Sequence, residues 1–217
     1  MLKAIRHVQR RRADLRAAID LAASFEAWEE TCVPSYCHRN WAAAGVSWLR
    51  LFVARRMAAT LATPGSKVLD FGASVGEMGH LVQEIGFEYH FIELDEKAAT
   101  FLQSRLPAAR RESLEAAPAG SFDVIFAIDS LEHNDDFEGL LRQLATKLTP
   151  EGVLILSGPT ENFLYRLGRA IAGFHGHYHH ATIFDIERAA AKHFSLRRVA
   201  RVLPLLTLFR VTAWQRR

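Results

Sequence analysis

At 217 residues, 49% hydrophobic and 24% charged, the chain is long enough for one globular α/β domain with an accessory segment. No run of about 20 apolar residues is present, which excludes a spanning helix, and Met1 to Arg12 is too polar for a secretory signal, so a cytoplasmic protein is expected. The net charge of +3 is uneven, +6 over residues 1–67, −11 over 68–163 and +8 over 164–217, and the acidic centre argues against a nucleic-acid partner, which would need a basic stripe.

Residues 1–30 read as helix, with Leu15, Ala18, Ile19, Ala22 and Phe25 at helical spacing and a separate stripe of Leu2, Ile5 and Val8 among Lys3, Arg6, Arg10, Arg11 and Arg12. A solvated basic face over a packed stripe is the commoner use of such a pattern; weak contact with an anionic membrane surface is the lesser reading. The segment Cys32 to Trp41 is broken by Pro34 and crowded with hydrogen-bonding side chains, which suits a lid, and Tyr36, His38 and Trp41 are its candidate substrate contacts. Cys32 and Cys37 lie beside His38, but nothing downstream completes a zinc set, so free thiols are expected and no metal. A second helix, about Trp41 to Leu61, is stopped by Thr63-Pro64-Gly65. The expected division is therefore a helical extension, residues 1–65, and an α/β domain, residues 66–217.

The stretch Val68 to Gly79 joins a buried strand, Lys67 to Phe71, to a glycine-punctuated turn and a helix carrying Met78, Leu81, Val82 and Ile85. Gly72 can take a positive φ and lets a ligand approach the backbone, and Gly76 starts the helix close to the strand. Ala73 and Ser74 stand where a dinucleotide fingerprint would place its second glycine, so no diphosphate cradle is spelled out. Asp70, one residue before the turn, repels a diphosphate and suits a cationic ligand. Strand and helix patterns then alternate: strands at Tyr89 to Leu94, weakly at Ala109 to Glu112, at Phe122 to Asp129 and at Val153 to Ser157, with helices at Glu96 to Leu106, Phe137 to Leu148 and Ile183 to His193. Such alternation calls for a parallel sheet covered on both faces. Two final β-like runs, Leu196 to Leu203 and Thr207 to Trp214, are too close for a crossover helix and must be antiparallel.

The turn resembles the first motif of the class I S-adenosylmethionine-dependent methyltransferases, whose cofactor carries a sulfonium and an amino group. Leu131-Glu132-His133 after the fourth strand, and Leu148-Thr149-Pro150-Glu151-Gly152 before the fifth, resemble the small-molecule branch of that family, which includes enzymes of quinone biosynthesis. The resemblance spans about Lys67 to Pro159. It implies a doubly wound, seven-stranded Rossmann-like sheet of order 3-2-1-4-5-7-6 with the last strand antiparallel, S-adenosylmethionine as cofactor, and methyl transfer to a small molecule, at oxygen. The implied cofactor contacts are Asp70, Gly72, Ala73, Ser74, Gly76, Glu93 and Leu94, with Asp95 as fallback, then Ser113, Leu114 and Asp129. Glu93 would grip the ribose hydroxyls, and Ser113 and Leu114 would meet the adenine.

Methyl transfer asks the protein for proximity, orientation and, for a hydroxyl acceptor, a base. His133 leads the candidates for base or anchor, with His179 and His180 behind it and Tyr178 as a substrate contact; the His-rich run could otherwise hold a metal or only solvate a loop. Two rival readings are a nucleic-acid methyltransferase and a non-catalytic cofactor-binding module. Against the first, Asp129-Ser130-Leu131-Glu132 replaces the Pro-Pro element that grips a flipped base, and neither cysteine follows a proline.

Overall fold

The computed structural model describes residues 2–29, 31–160, 181–202 and 208–217. Two compact units divide the chain, Met1–Leu49 and Arg50–Arg217.

In the N-terminal unit, α1 spans Leu2–Ala18 and stops well short of the expected residue 30. The reason is local. Asp20 Oδ1 accepts the backbone N–H groups of Ala22 and Ala23, and Ser24 Oγ donates to the Asp20 carbonyl, so short polar side chains offer the backbone an alternative to the helical ladder. A short helix, α2 (Val33–Tyr36), carries Pro34 in its first turn, where a missing N–H costs nothing. The segment after it is tied to α1 by arginines: Arg12 donates to the Tyr36 and His38 carbonyls and Arg16 to that of Cys37. Trp48, buried in α3 (Trp41–Ala58), adds a third donor through Nε1 to the Tyr36 carbonyl.

The larger unit is built on a seven-stranded sheet of β1 (Lys67–Phe71), β2 (Glu88–Ile92), β3 (Arg110–Arg111), β4 (Phe122–Ile128), β5 (Leu148–Pro159), β6 (Phe194–Val202) and β7 (Phe209–Arg216). Their order is β3-β2-β1-β4-β5-β7-β6. β1 to β5 pair in parallel and β7 runs antiparallel to both β5 and β6, as expected from the short connection. The helices α4 (Glu77–Gln83), α5 (Glu96–Arg105), α6 (Phe137–Lys147) and α7 (Ile183–Ala190) complete the described elements of this unit.

Alternate residues of each inner strand serve opposite faces. Leu69 and Phe71, Ile125 and Ala127, and Leu154 and Leu156 all join one buried cluster with Leu141 and Leu144 of α6 and Ile183 and Ile186 of α7. The start of α7 is fixed by a capping box, in which the Asp185 N–H donates to Thr182 Oγ1 and Asp185 Oδ2 accepts the Thr182 N–H in return.

The registers decide where a site can form. Phe71 lies opposite Ile92 on one side and Ala127 on the other, Ile128 lies opposite Ser157, and Pro159 lies opposite Phe209. The carboxyl ends of β1, β2, β4 and β5 therefore stop at one edge, joined there by the start of β7. Open α/β sheets bind ligands at this edge.

Candidate active site

The glycine turn is stapled to the end of β2. Gly72, at φ +74°, and Ala73 both donate their N–H groups to the Ile92 carbonyl, at 2.9 and 3.2 Å. Ser74, at φ +50°, donates to Glu93 Oε2 at 2.6 Å, and the Asp95 N–H donates to Glu93 Oε1 at 2.9 Å. The Glu93 carboxylate thus bridges the turn and the start of α5, and each oxygen keeps lone-pair capacity for a further donor. Asp95 itself caps α5, accepting the N–H groups of Lys97 and Ala98, so it is committed to the helix. Leu94 between them is 86% exposed, an apolar side chain held out beside a polar grip.

Asp70 lies below the turn and is only 3% exposed. The Tyr89 hydroxyl donates to its Oδ2 at 2.8 Å. Burial, opposed by that hydrogen bond and helped by the nearby Glu93 charge, pushes the Asp70 carboxyl up to about 7. The Tyr89 hydroxyl is raised well above its ordinary value by burial and by Asp70, Glu77 and Glu93 around it. Three carboxyl groups gathered below and beside one turn make an environment that favours a cation and disfavours a phosphate.

At the end of β4, Asp129 takes φ +50°, an uncommon conformation for a residue with a Cβ, while its N–H donates to the Ser157 carbonyl at 2.9 Å. Its carboxylate forms an ion pair with Arg50 of α3. Ser130 follows, so close to the glycine turn that a Cβ on Gly72 would stand 2.6 Å from the Ser130 Cβ. Ser130 Oγ is buried with no hydrogen-bond partner among the described residues. The residues Leu131–His133 form a 3₁₀ turn that buries Leu131 and Glu132 and leaves His133 exposed.

The structure thus gathers Asp70, Gly72, Ala73, Ser74, Glu93, Leu94 and Asp129 at the carboxyl edge of the sheet, with Gly76 opening α4. Ser113 lies after β3 as an exposed turn residue whose Oγ accepts the Ala116 N–H, whereas Leu114 joins the core. In the N-terminal unit Tyr36 is buried against Trp48, with ring centroids 4.9 Å apart. His38 Nδ1 accepts the Asn40 N–H, and Trp41, 55% exposed, lies over the Arg12 guanidinium. Tyr178, His179 and His180 lie outside the described residues. Among the described residues no group of three or more His, Cys, Asp or Glu side chains could hold a metal, and no helix is long and apolar enough to cross a membrane.

Two residues escaped the sequence reading. Ser130 sits in the quoted Asp129-Ser130-Leu131-Glu132 segment, but its contact with the turn depends on the β1–β4 register. Arg50 reads as one more charge on a helix that also carries Arg55 and Arg56, and nothing local marks it as buried.

A family model described as a methyltransferase domain matches residues 47–200. The chain belongs to this family. The methyltransferase family expected from the glycine turn is thus the family found. Among curated relatives, the chain is 32% identical over 110 residues to the ubiquinone biosynthesis O-methyltransferase of Xanthomonas campestris pv. campestris (strain B100), a match covering 46% of each chain. A protein of the same description from Caulobacter sp. (strain K31) is 31% identical over 102 residues, covering 43% of this chain and 40% of that one. The aligned region is therefore somewhat less than half the length of these relatives.

Solved structures share the fold of this chain. The PH0226 protein from Pyrococcus horikoshii OT3 superposes with a TM-score of 0.68 at 16% identity, covering 88% of this chain and 99% of that one. Magnesium protoporphyrin IX methyltransferase from Synechocystis PCC 6803, solved with bound S-adenosylhomocysteine, gives 0.63 at 18% identity, covering 82% and 88%.

Proposed function

We propose that this methyltransferase moves a methyl group from S-adenosylmethionine to an oxygen of a small-molecule acceptor. The observation that carries the reading is the Glu93 carboxylate bonded to the Ser74 N–H of the glycine turn, with buried Asp70 beneath it. The residues fit the cofactor. Glu93 keeps acceptor capacity for the ribose hydroxyls, exposed Leu94 offers an apolar surface to the adenine, and the acidic surroundings of the turn favour the charge of the amino acid end. When bound, the cofactor supplies a sulfonium-activated methyl group, and the chain's own residues hold it in line with the acceptor and keep water away. The oxygen acceptor draws support from the relatives' description as O-methyltransferases.

Titration calorimetry with S-adenosylmethionine tests the reading. The parent protein should bind, and Glu93→Ala should lose roughly 1.5–3 kcal/mol, the range for hydrogen bonds to a charged group. Undiminished affinity in that variant would remove Glu93 from the site, and no binding by the parent would remove the function. His133, exposed on the turn after β4, remains the candidate base or anchor. As a base its replacement by Ala should lower kcat by about 10²–10⁴-fold, whereas a binding role raises KM and spares kcat. Unchanged steady-state kinetics in His133→Ala would exclude it from both roles.

A further inference from the structure

Asp129, one of the implied cofactor contacts, is held in an ion pair by Arg50, a residue that cofactor binding does not call for. Arg50 is 5% exposed, its guanidinium carbon lies 4.9 Å from the centroid of the Phe209 ring, and its partner Asp129 has a side chain 17% exposed at the end of β4. Ser157 Oγ on β5 lies 3.4 Å from Asp129 Oδ1. These four residues therefore meet where β4, β5 and β7 reach the ligand-binding edge, and Asp129 is next in the chain to Ser130, which lies against Gly72 of the glycine turn. A cation sits at that edge beyond the carboxylates that surround the turn.

As a stabilising device the pair is a poor choice. Burying two charges costs desolvation that their attraction barely offsets, and apolar residues of similar size are often as good or better. Asp129 moreover adopts φ +50°, and strained conformations at a ligand edge point to use rather than to packing. The guanidinium is a rigid, planar fork of N–H donors, and its Nη1 faces the Asp129 carboxylate. The Phe209 ring lies against it, which favours holding the fork in one plane. Planar forks of this kind recognise carboxylate and phosphate-like oxygens, and arginine does so far better than lysine.

We propose that Arg50 is the acceptor-recognition residue, and that the acceptor is a small molecule carrying an anionic oxygen group, a carboxylate or an ionised phenol, which Arg50 binds by exchanging the Asp129 carboxylate for it. The proposal rests on the methyltransferase reading of the same edge. It assigns substrate class to a residue of α3 rather than to the histidines, and it gives Asp129 the role of resident counter-ion that keeps the fork aimed when no acceptor is present. Opposite charges of cofactor and acceptor would then be held by different residues, carboxylates for one and Arg50 for the other.

The test uses the full chain saturated with S-adenosylhomocysteine and titrates benzoate, 4-nitrophenolate above the phenol's pKa, and benzamide as a neutral isostere of benzoate. The parent should bind benzoate and 4-nitrophenolate more tightly than benzamide. Arg50→Met should weaken both anions by roughly 10- to 100-fold, the equivalent of one charge-assisted hydrogen bond, and leave benzamide unchanged. Arg50→Lys, which keeps the charge and loses the fork, should fall between. If removing Arg50 alone prevents folding by stranding Asp129, the comparison is made between Asp129→Asn and the double variant Arg50→Met with Asp129→Asn, and the same selective loss of anion binding is expected. A parent that does not prefer anions, or a variant that weakens benzamide as much as benzoate, overturns the proposal. Failure of the parent to bind S-adenosylhomocysteine would instead strike the cofactor reading, so the two failures are separate.

Discussion

Gly72→Ala is expected to abolish measurable S-adenosylmethionine binding while Gly65→Ala leaves it intact. Both glycines have positive φ, +74° and +90°, so each substitution forces a side chain into the left-handed region at roughly 1–2 kcal/mol. The difference lies in what the new methyl group meets. At Gly65 nothing lies within 4 Å, whereas at Gly72 the Cβ would stand 2.6 Å from the Ser130 Cβ. That contact cannot exist, and the neighbours are two strand ends rather than flexible tips. Either the turn or the end of β4 must move, and the bonds from Gly72 and Ala73 to the Ile92 carbonyl and from Ser74 to Glu93 move with it. A displacement of about 1 Å in positioning groups can cost 10²-fold in enzymes. Calorimetry supplies the affinities, and urea melts of both variants separate strain from loss of the site. Equal affinities for the two alanine variants would show that the turn is not in contact with the cofactor.

Asp70→Asn is expected to flatten the pH dependence of stability between pH 4 and 7 and to stabilise the protein above it. The folded carboxyl is raised from 3.8 to about 7, chiefly by burial. The folded state therefore holds a proton that the unfolded state has released, and its contribution is full below about pH 4 and lost as pH rises through 7. At 1.36 kcal/mol per unit the span is on the order of 4 kcal/mol. An asparagine can still accept from Tyr89 and carries no charge to desolvate, so above pH 7 the variant should be the more stable in urea, and at pH 4 the two should be alike. A cation bound beside Asp70 favours its ionised form, so cofactor binding near pH 7 should release a proton. Buffers of different ionisation enthalpy read that proton directly in calorimetry, and the Asn variant should show none. A parent urea midpoint that does not fall between pH 5 and 8 would contradict the buried acid.

The period-2 and period-3.6 patterns placed the sheet because they are local: Lys67 to Phe71 is a strand over the expected residues, and the short link before Phe209 forced an antiparallel pair. The apolar spacing of Ile19 and Phe25 continues past Ala18, but Asp20 and Ser24 end the first helix through side-chain bonds that no apolar pattern encodes. Of the candidate site, the placement of the glycine turn, Asp70 and Glu93 at neighbouring strand ends was legible, since it follows from the local strand pattern. That Asp95 is spent on capping α5 needed the hydrogen bonds. Arg50 was invisible for a stronger reason. Its significance is a pairing with Asp129, 79 positions away, and a lone arginine on a helix carries no signal of its own partner.

The two outermost strands bear on how the sheet ends. β3 is two residues long and both are arginines, while β6 presents Arg197, Arg198 and Arg201 with a register irregularity between Leu196 and Arg198. An open edge is a row of unmet backbone donors and acceptors that invites another chain to add a strand. A two-residue strand offers too little ladder to copy, and a bulged one lined with positive charge repels its like. Among the described residues both margins of the sheet thus carry features that oppose edge-to-edge pairing, and replacing the β6 arginines with threonine is expected to raise aggregation, read by light scattering.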